Sequence, residues 1–275
     1  MPVRVRPTVF PDPEALGHVL AARIATEIAD AARDGRPYVL GCPGGRSARS
    51  TYAALAREVA ARRLSLGHVV IVMMDEYVVR APETGRFRRI DPDLPHSCVR
   101  FGRAEIVEPL NAAAGPGRGI TPDRFWVPDP ADPGEYDRRI AGIGGVDLFI
   151  LASGAGDGHI AFNPAGTPAD ARTRVVALAE RTRRDNLATF PTFGGLEEVP
   201  GHGVTVGVAT IRDLSKQVVM VVHGADKAAT ARRLAAADRY DPGWPATVLS
   251  DCAAPSLLAD EATGLTAGHP APDRP

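Results

Sequence analysis

Short apolar runs recur along this chain, and the segments between them carry apolar residues at helical spacing. Residues 38–40, 68–74, 147–152, 217–222 and 255–259 read as strands with too few polar positions to leave one face in water. Residues 13–33 place Leu16, Leu20, Ile24 and Ile28 about one helical turn apart, and residues 47–62, 135–140 and 226–236 continue the helical pattern. Strand and helix in alternation predict an α/β fold, a mostly parallel sheet flanked by helices on both faces and Rossmann-like in type. Residues 80–95 and 112–133 break the rhythm with Pro, Gly, Asp and Arg, and are expected to be long functional loops or partly ordered lids. Residues 264–275 read as a disordered tail, and no repeat or linker divides the rest, so residues 1–263 are expected to form a single domain.

Composition narrows the function classes. The 275 residues are 44% hydrophobic, enough for a full core, and 32 basic side chains against 33 acidic ones leave a net charge of -1. No global field points to nucleic acid or to an anionic membrane, so a small, locally recognised ligand fits better. The 3 cysteines, Cys42, Cys98 and Cys252, are far apart and form no C-x-x-C pair, against a disulfide framework or a zinc site. No apolar run nears the roughly 20 residues that span a bilayer, and residues 1–13 lack a signal core. A cytoplasmic protein is expected.

The chemistry-bearing residues fall at the ends of the predicted strands. Gly41-Cys42-Pro43-Gly44-Gly45-Arg46-Ser47 follows one strand and opens a helix. Backbone N–H groups, the helix N-terminus, Ser47 and Arg46 can together hold a phosphate; the same residues also make a tight turn capped by Ser47. Neither a Walker loop nor a dinucleotide fingerprint is present. Met74-Asp75-Glu76-Tyr77 ends a second strand. Partial burial can raise Asp75 or Glu76 into the range of a general base, or Asp75 can simply cap the next segment in water. After the strand at 147–152, Asp157-Gly158-His159 sets a carboxylate beside an imidazole, which fixes a tautomer for acid/base work, although isolated D-G-H triplets are also common turns. Arg183 with Arg184, and Lys227, can clamp a phosphate from across the crevice or lie on solvated helix faces.

Taken in order, these stretches resemble the glucosamine-6-phosphate deaminase (isomerase) family, within the broader group of 6-phosphogluconolactonases and ribose-5-phosphate isomerase-like sheet proteins. The resemblance spans roughly residues 15–263. It also draws on Ile160-Ala161-Phe162-Asn163, Leu178 through Asn186, Thr205-Val206-Gly207-Val208-Ala209-Thr210, Gly224-Ala225-Asp226-Lys227-Ala228 and Asp260-Glu261-Ala262-Thr263. It implies aldose–ketose isomerisation of an amino-sugar phosphate with release of ammonia, needing no metal and no cofactor.

By the same resemblance Asp75 is the base that moves a proton between C1 and C2. His159, oriented by Asp157, opens the pyranose ring. Ser47, Arg183 and Lys227 are phosphate ligands, Gly44, Gly45 and Arg46 shape their loop, and Glu76 joins the substrate-binding set. The implied partner is a phosphorylated sugar, not nucleic acid or membrane, with a homo-oligomer as a candidate assembly.

The chain departs from the family's pattern at three places. Pro164 stands where the family carries a glutamate after the asparagine of G-H-I-A-F-N, Arg46 replaces a small residue, and His96-Ser97-Cys98-Val99 replaces an aromatic pair. Two other readings are weighed against the deaminase. A sugar-phosphate lactone hydrolase would use His159 but has no task for the Met-Asp-Glu-Tyr block. A non-catalytic sugar-phosphate sensor would carry a DNA-binding helix-turn-helix, for which the residues ahead of the first helix are too few.

Overall fold

The computed structural model describes residues 4–154, 156–190 and 192–266, so most of the expected tail, residues 267–275, lies outside the described residues. The strands are β1 (Pro7–Phe10), β2 (Tyr38–Cys42), β3 (Val69–Met73), β4 (Asp75–Arg80), β5 (Phe87–Arg89), β6 (Phe125–Trp126), β7 (Leu148–Leu151), β8 (Arg174–Ala177), β9 (His202–Thr205), β10 (Val218–Val222) and β11 (Pro255–Asp260). The α-helices are α1 (Pro13–Arg33), α2 (Arg49–Arg62), α3 (Cys98–Phe101), α4 (Glu108–Ala114), α5 (Pro133–Gly142), α6 (Glu180–Thr189), α7 (Val208–Leu214) and α8 (Ala228–Ala236). The local chemistry explains their edges. Asp12 accepts from the Ala15 N–H at 2.7 Å and Pro13 fills the first turn of α1, where a missing N–H costs nothing.

Seven strands form one parallel sheet in the order β1-β11-β10-β7-β2-β3-β6. Period-two alternation sends successive side chains to opposite faces. Leu40, Ile71, Ile150 and Val221 meet α1, α2 and α4 on one side. Val39, Val70, Phe149 and Met220 meet α5, α7 and α8 on the other. This is the α/β architecture that the alternation predicts, and no helix among the described residues is long and apolar enough to cross a membrane.

A second, four-stranded antiparallel sheet, β5-β4-β9-β8, adds to the fold expected from the sequence. Its strands are short, and β9 reaches β4 from far along the chain, so no local periodicity reveals the sheet. Both irregular stretches contribute a strand as well: β5 lies within residues 80–95 and pairs with β4, and β6 lies within residues 112–133 and closes one edge of the parallel sheet beside β3. Those stretches anchor the fold rather than hang from it as lids.

Gly41 marks the closest approach between central strands. A Cβ there would lie 2.1 Å from Cδ2 of Phe149 on β7, which is far inside van der Waals contact with a ring that is itself buried. Gly41→Ala is expected to destabilise the protein by about 1–3 kcal/mol through overpacking, read as a lower urea midpoint with an unchanged slope.

Candidate active site

Strand order reverses at the β2–β7 pair: β3 and β6 extend the sheet on one side, β10, β11 and β1 on the other. Chain segments leaving the two strands diverge, and the carboxyl ends of such a pair frame a crevice. The 43–48 loop leaves β2, Asp75 follows β3, the Asp157–His159 turn follows β7 and Lys227 follows β10. Topology therefore gathers at one sheet edge residues that are up to 183 positions apart in the sequence numbering, from Gly44 to Lys227.

Nδ1 of His159 lies 2.7 Å from Oδ1 of Asp157, and the His159 backbone N–H donates to the same oxygen at 3.3 Å. With Nδ1 carrying the proton toward the carboxylate, Nε2 is the nitrogen left to exchange protons. Burial pushes the Asp157 carboxyl up, but the His159 hydrogen bond and charge outweigh it and hold the group below its ordinary value.

Packing gives this turn its shape. A Cβ on Gly154 would sit 2.3 Å from the His159 ring, and one on Gly158, at φ +62°, would sit 2.2 Å from Nε1 of Trp244. Asn163 then closes it, donating from Nδ2 to the Ile160 carbonyl at 3.0 Å and the Val206 carbonyl at 2.7 Å. Val206 in turn donates to Met74 at 2.8 Å, and Phe162 N–H donates to Thr205, the register partner of Asp75. Backbone and amide bonds thus tie the histidine turn to the strand that begins with Asp75.

Asp75 and Glu76, adjacent and both buried at 7% and 0% exposure, do different work. Burial is the largest influence on Asp75 and raises its carboxyl to about 7, opposed by a hydrogen bond from the Cys98 thiol, reinforced by Glu76 and opposed by His159. That is a carboxyl close to half ionised at neutral pH, within electrostatic reach of His159.

Glu76 is a correction to its placement in the substrate-binding set. Oε1 accepts from the N–H groups of Tyr77 and Cys98 at 2.7 and 3.0 Å, and Oε2 from Ser97 Oγ and Val99 N–H at 2.7 and 2.8 Å. The carboxylate is consumed in holding the start of α3, and no lone pair faces a ligand.

The 43–48 loop has Gly45 at φ +86°, a conformation that suits glycine. Ala48 is the N-cap of α2 and supplies no side-chain bond, so Ser47 is not the helix cap and its carbonyl instead lies 3.1 Å from Nε2 of His223. Lys227 donates from Nζ to the Ser153 carbonyl at 2.6 Å. Burial lowers its pKa, Asp226 opposes this, and the charge of Arg46 lowers it further.

Arg183 is bonded through Nη2 to the carbonyls of Leu196 and, at 3.1 Å, Val199, while its Nε is buried with no partner among the described residues. Two residues along a helix turn a side chain through roughly 200°, and Arg181, paired with Asp185, comes close to the histidine turn: its Nη2 lies 2.8 Å from where a Cβ on Gly156 would stand, and its charge acts on Asp157. Arg184 is exposed and paired with Glu180. Sequence reasoning passed over Arg181, Trp244 and Cys98, of which only Cys98, inside the divergent His96–Val99 stretch, carried a local signal. No three His, Cys, Asp or Glu side chains group as a metal site among the described residues.

The sequence model of the family described as glucosamine-6-phosphate isomerases/6-phosphogluconolactonase matches residues 11–257. The chain belongs to this family. It is 31% identical over 262 residues to a glucosamine-6-phosphate deaminase of Bacillus pumilus, covering 93% of this chain and 97% of that protein. It is 37% identical over 194 residues to another of Arthrobacter sp., covering 70% and 68%. Among solved structures, a monomeric glucosamine-6-phosphate deaminase superposes with a TM-score of 0.80 at 25% identity over 94% of this chain and 98% of that one. The 6-phosphogluconolactonase of Leishmania guyanensis shares the fold, with a TM-score of 0.64 at 19% identity over 95% and 98%.

Removing the Glu76 carboxylate would leave two buried N–H groups and a hydroxyl unpaired at the head of α3. Glu76→Ala is expected to cost about 3 kcal/mol or more of stability, measured by chemical denaturation, whereas Arg184→Ala should stay within about 0.5 kcal/mol.

Proposed function

We propose that the protein converts glucosamine 6-phosphate, or a closely related amino-sugar phosphate, to the ketose phosphate with release of ammonia. The observation that carries this reading is the Asp75 carboxyl, buried and raised to about 7, in electrostatic reach of an imidazole that a carboxylate orients. In the reaction His159 gives a proton to the ring oxygen as the pyranose opens. Asp75 takes the proton from C2 and returns it to C1, and water replaces the amine, so that sugar, water and ammonia balance. The phosphate anchors the far end on the N–H groups of the 44–47 loop with Ser47, Arg46 and Lys227, and its binding energy aligns the carbons over Asp75. A lactone hydrolase could run on the Asp157–His159 pair alone, but it would leave a carboxyl held near 7 with nothing to do.

The purified protein is expected to release ammonia from glucosamine 6-phosphate. Because Asp75 must be ionised to accept a proton, kcat/KM is expected to rise with pH through about 7. Asp75→Asn should lower kcat by about 10²–10⁴ while phosphate-ligand affinity, measured calorimetrically, is largely kept. Lactone hydrolysis with no ammonia and no ketose from any amino-hexose phosphate would overturn the reading.

Pro164 supplies a second test. It follows Asn163, whose Oδ1 accepts from Nη1 of Arg174 at 2.8 Å, and burial holds that guanidinium below its ordinary pKa. Pro164→Glu would place a carboxylate beside this cation and restore the residue that the family's pattern carries. Turnover on the cyclic substrate is expected to rise in steady-state assays; an unchanged or lower rate would show that ring opening does not wait on that group.

A further inference from the structure

Cys98 occupies a place that the proposed chemistry has not yet used. Ser97 caps α3 by accepting from Arg100 N–H at 3.2 Å, while the Glu76 carboxylate takes the Cys98 and Val99 N–H groups. With its backbone so held, Cys98 places Sγ 3.3 Å from Oδ1 of Asp75, between two residues exposed by only 9% and 7%. Asp75 and Glu76 sit on opposite faces of β4 by strand alternation, yet one grips the thiol of Cys98 and the other its backbone. On the side of the phosphate loop, Sγ is at 4.0 Å from where a Cβ on Gly44 would stand, which is ordinary contact.

We propose that Cys98 is the positioning residue of the base: its thiol donates to Oδ1 of Asp75, fixes the carboxylate rotamer, and leaves Oδ2 as the oxygen that exchanges the substrate proton. The assignment rests on the reading of Asp75 as that base. Among the described residues no donor reaches Oδ2. Burial, with the charges of Asp75 and Glu76, keeps the thiol pKa far above its ordinary value, so the donor hydrogen is present throughout the neutral range. The titratable groups that interact with the Asp75 carboxyl are Glu76 and Tyr77 on its own strand, Cys98 on α3, His159 after β7 and Tyr136 on α5. Of these, Cys98 alone donates a hydrogen bond to the carboxylate. Losing it removes a contact that favours the ionised form, so the carboxyl must titrate at higher pH.

The test compares wild type, Cys98→Ala and Cys98→Ser. Carboxyl ¹³C NMR of aspartate-labelled protein, with the Asp75 signal assigned by its loss in Asp75→Asn, reads the titration without any turnover. Cys98→Ala is expected to move the Asp75 midpoint up by about one pH unit, and the acid limb of kcat/KM with it, lowering kcat about tenfold while KM stays within twofold. Cys98→Ser, which keeps a hydroxyl donor, is expected to return the midpoint to or below the wild-type value. An Asp75 midpoint unmoved in Cys98→Ala overturns the proposal. If Cys98→Ala does not fold, a serine variant whose midpoint rises instead of holding or falling overturns it equally. A wild type that titrates as described but forms neither ammonia nor ketose phosphate defeats the function and not the contact.

Discussion

The reversal of strand order between β2 and β7 is the constraint from which the site follows. A crossover from β2 to β3 and the path from β7 toward β10 carry the chain to opposite halves of the sheet, so nothing intrinsic to the fold covers the carboxyl ends of this central pair. Loops leaving those strands meet in the gap. The glycine loop, the Asp157–His159 turn, Asp75 and Lys227 are brought to one end of the sheet by this reversal. Gly41 keeps the two strands at the spacing the arrangement needs, since Phe149 fills the volume a side chain would claim.

Around the gap, a few buried polar groups make the geometry specific. Asn163 and Thr205 tie the histidine turn to the antiparallel sheet, and Val206 returns that sheet to Met74 beside Asp75. Glu76 organises the head of α3 through three acceptor contacts, to Ser97, Cys98 and Val99, and takes a fourth from Tyr77 N–H on its own strand. Such groups are costly to bury and costlier to leave unpaired, so each one fixes a single arrangement of the chain near it. Two neighbouring acids therefore diverge completely: one is satisfied and structural, the other is underdonated, desolvated and raised toward neutral pH.

Much of this was legible before any coordinates. Continuous apolar runs were strong for β2, β3, β7 and β10, which are buried on both faces, and 3.6-residue spacing for α1, which buries one face along its length. The second sheet was not legible. β8 and β9 are four residues each, His202 and Gly203 dilute the pattern, and β9 pairs with β4 across the chain, Thr205 opposite Asp75, while β8 pairs with β9 alone. For the site, the two-residue spacing of Asp157 and His159 in a glycine turn offered the pair, and its place after an apolar strand favoured acid/base work over an ordinary turn. Arg183 could not be told from Arg181, because a helix face is chosen by what it packs on and α6 has no apolar stripe strong enough to announce it.

By itself, the sequence determined the alternation of strand and helix, the glycine loop at the end of β2, the acid–imidazole turn and the kinship of the chain, all of which depend on residues close together along the backbone. Only the tertiary structure decided which acid of Asp75-Glu76 is available, what each arginine of α6 packs on and that a cysteine touches the carboxylate. Each of those depends on burial and on contacts between segments far apart in the chain. Desolvation, which decides whether a carboxyl is an anchor or a base, is a property of the surroundings and not of the residue.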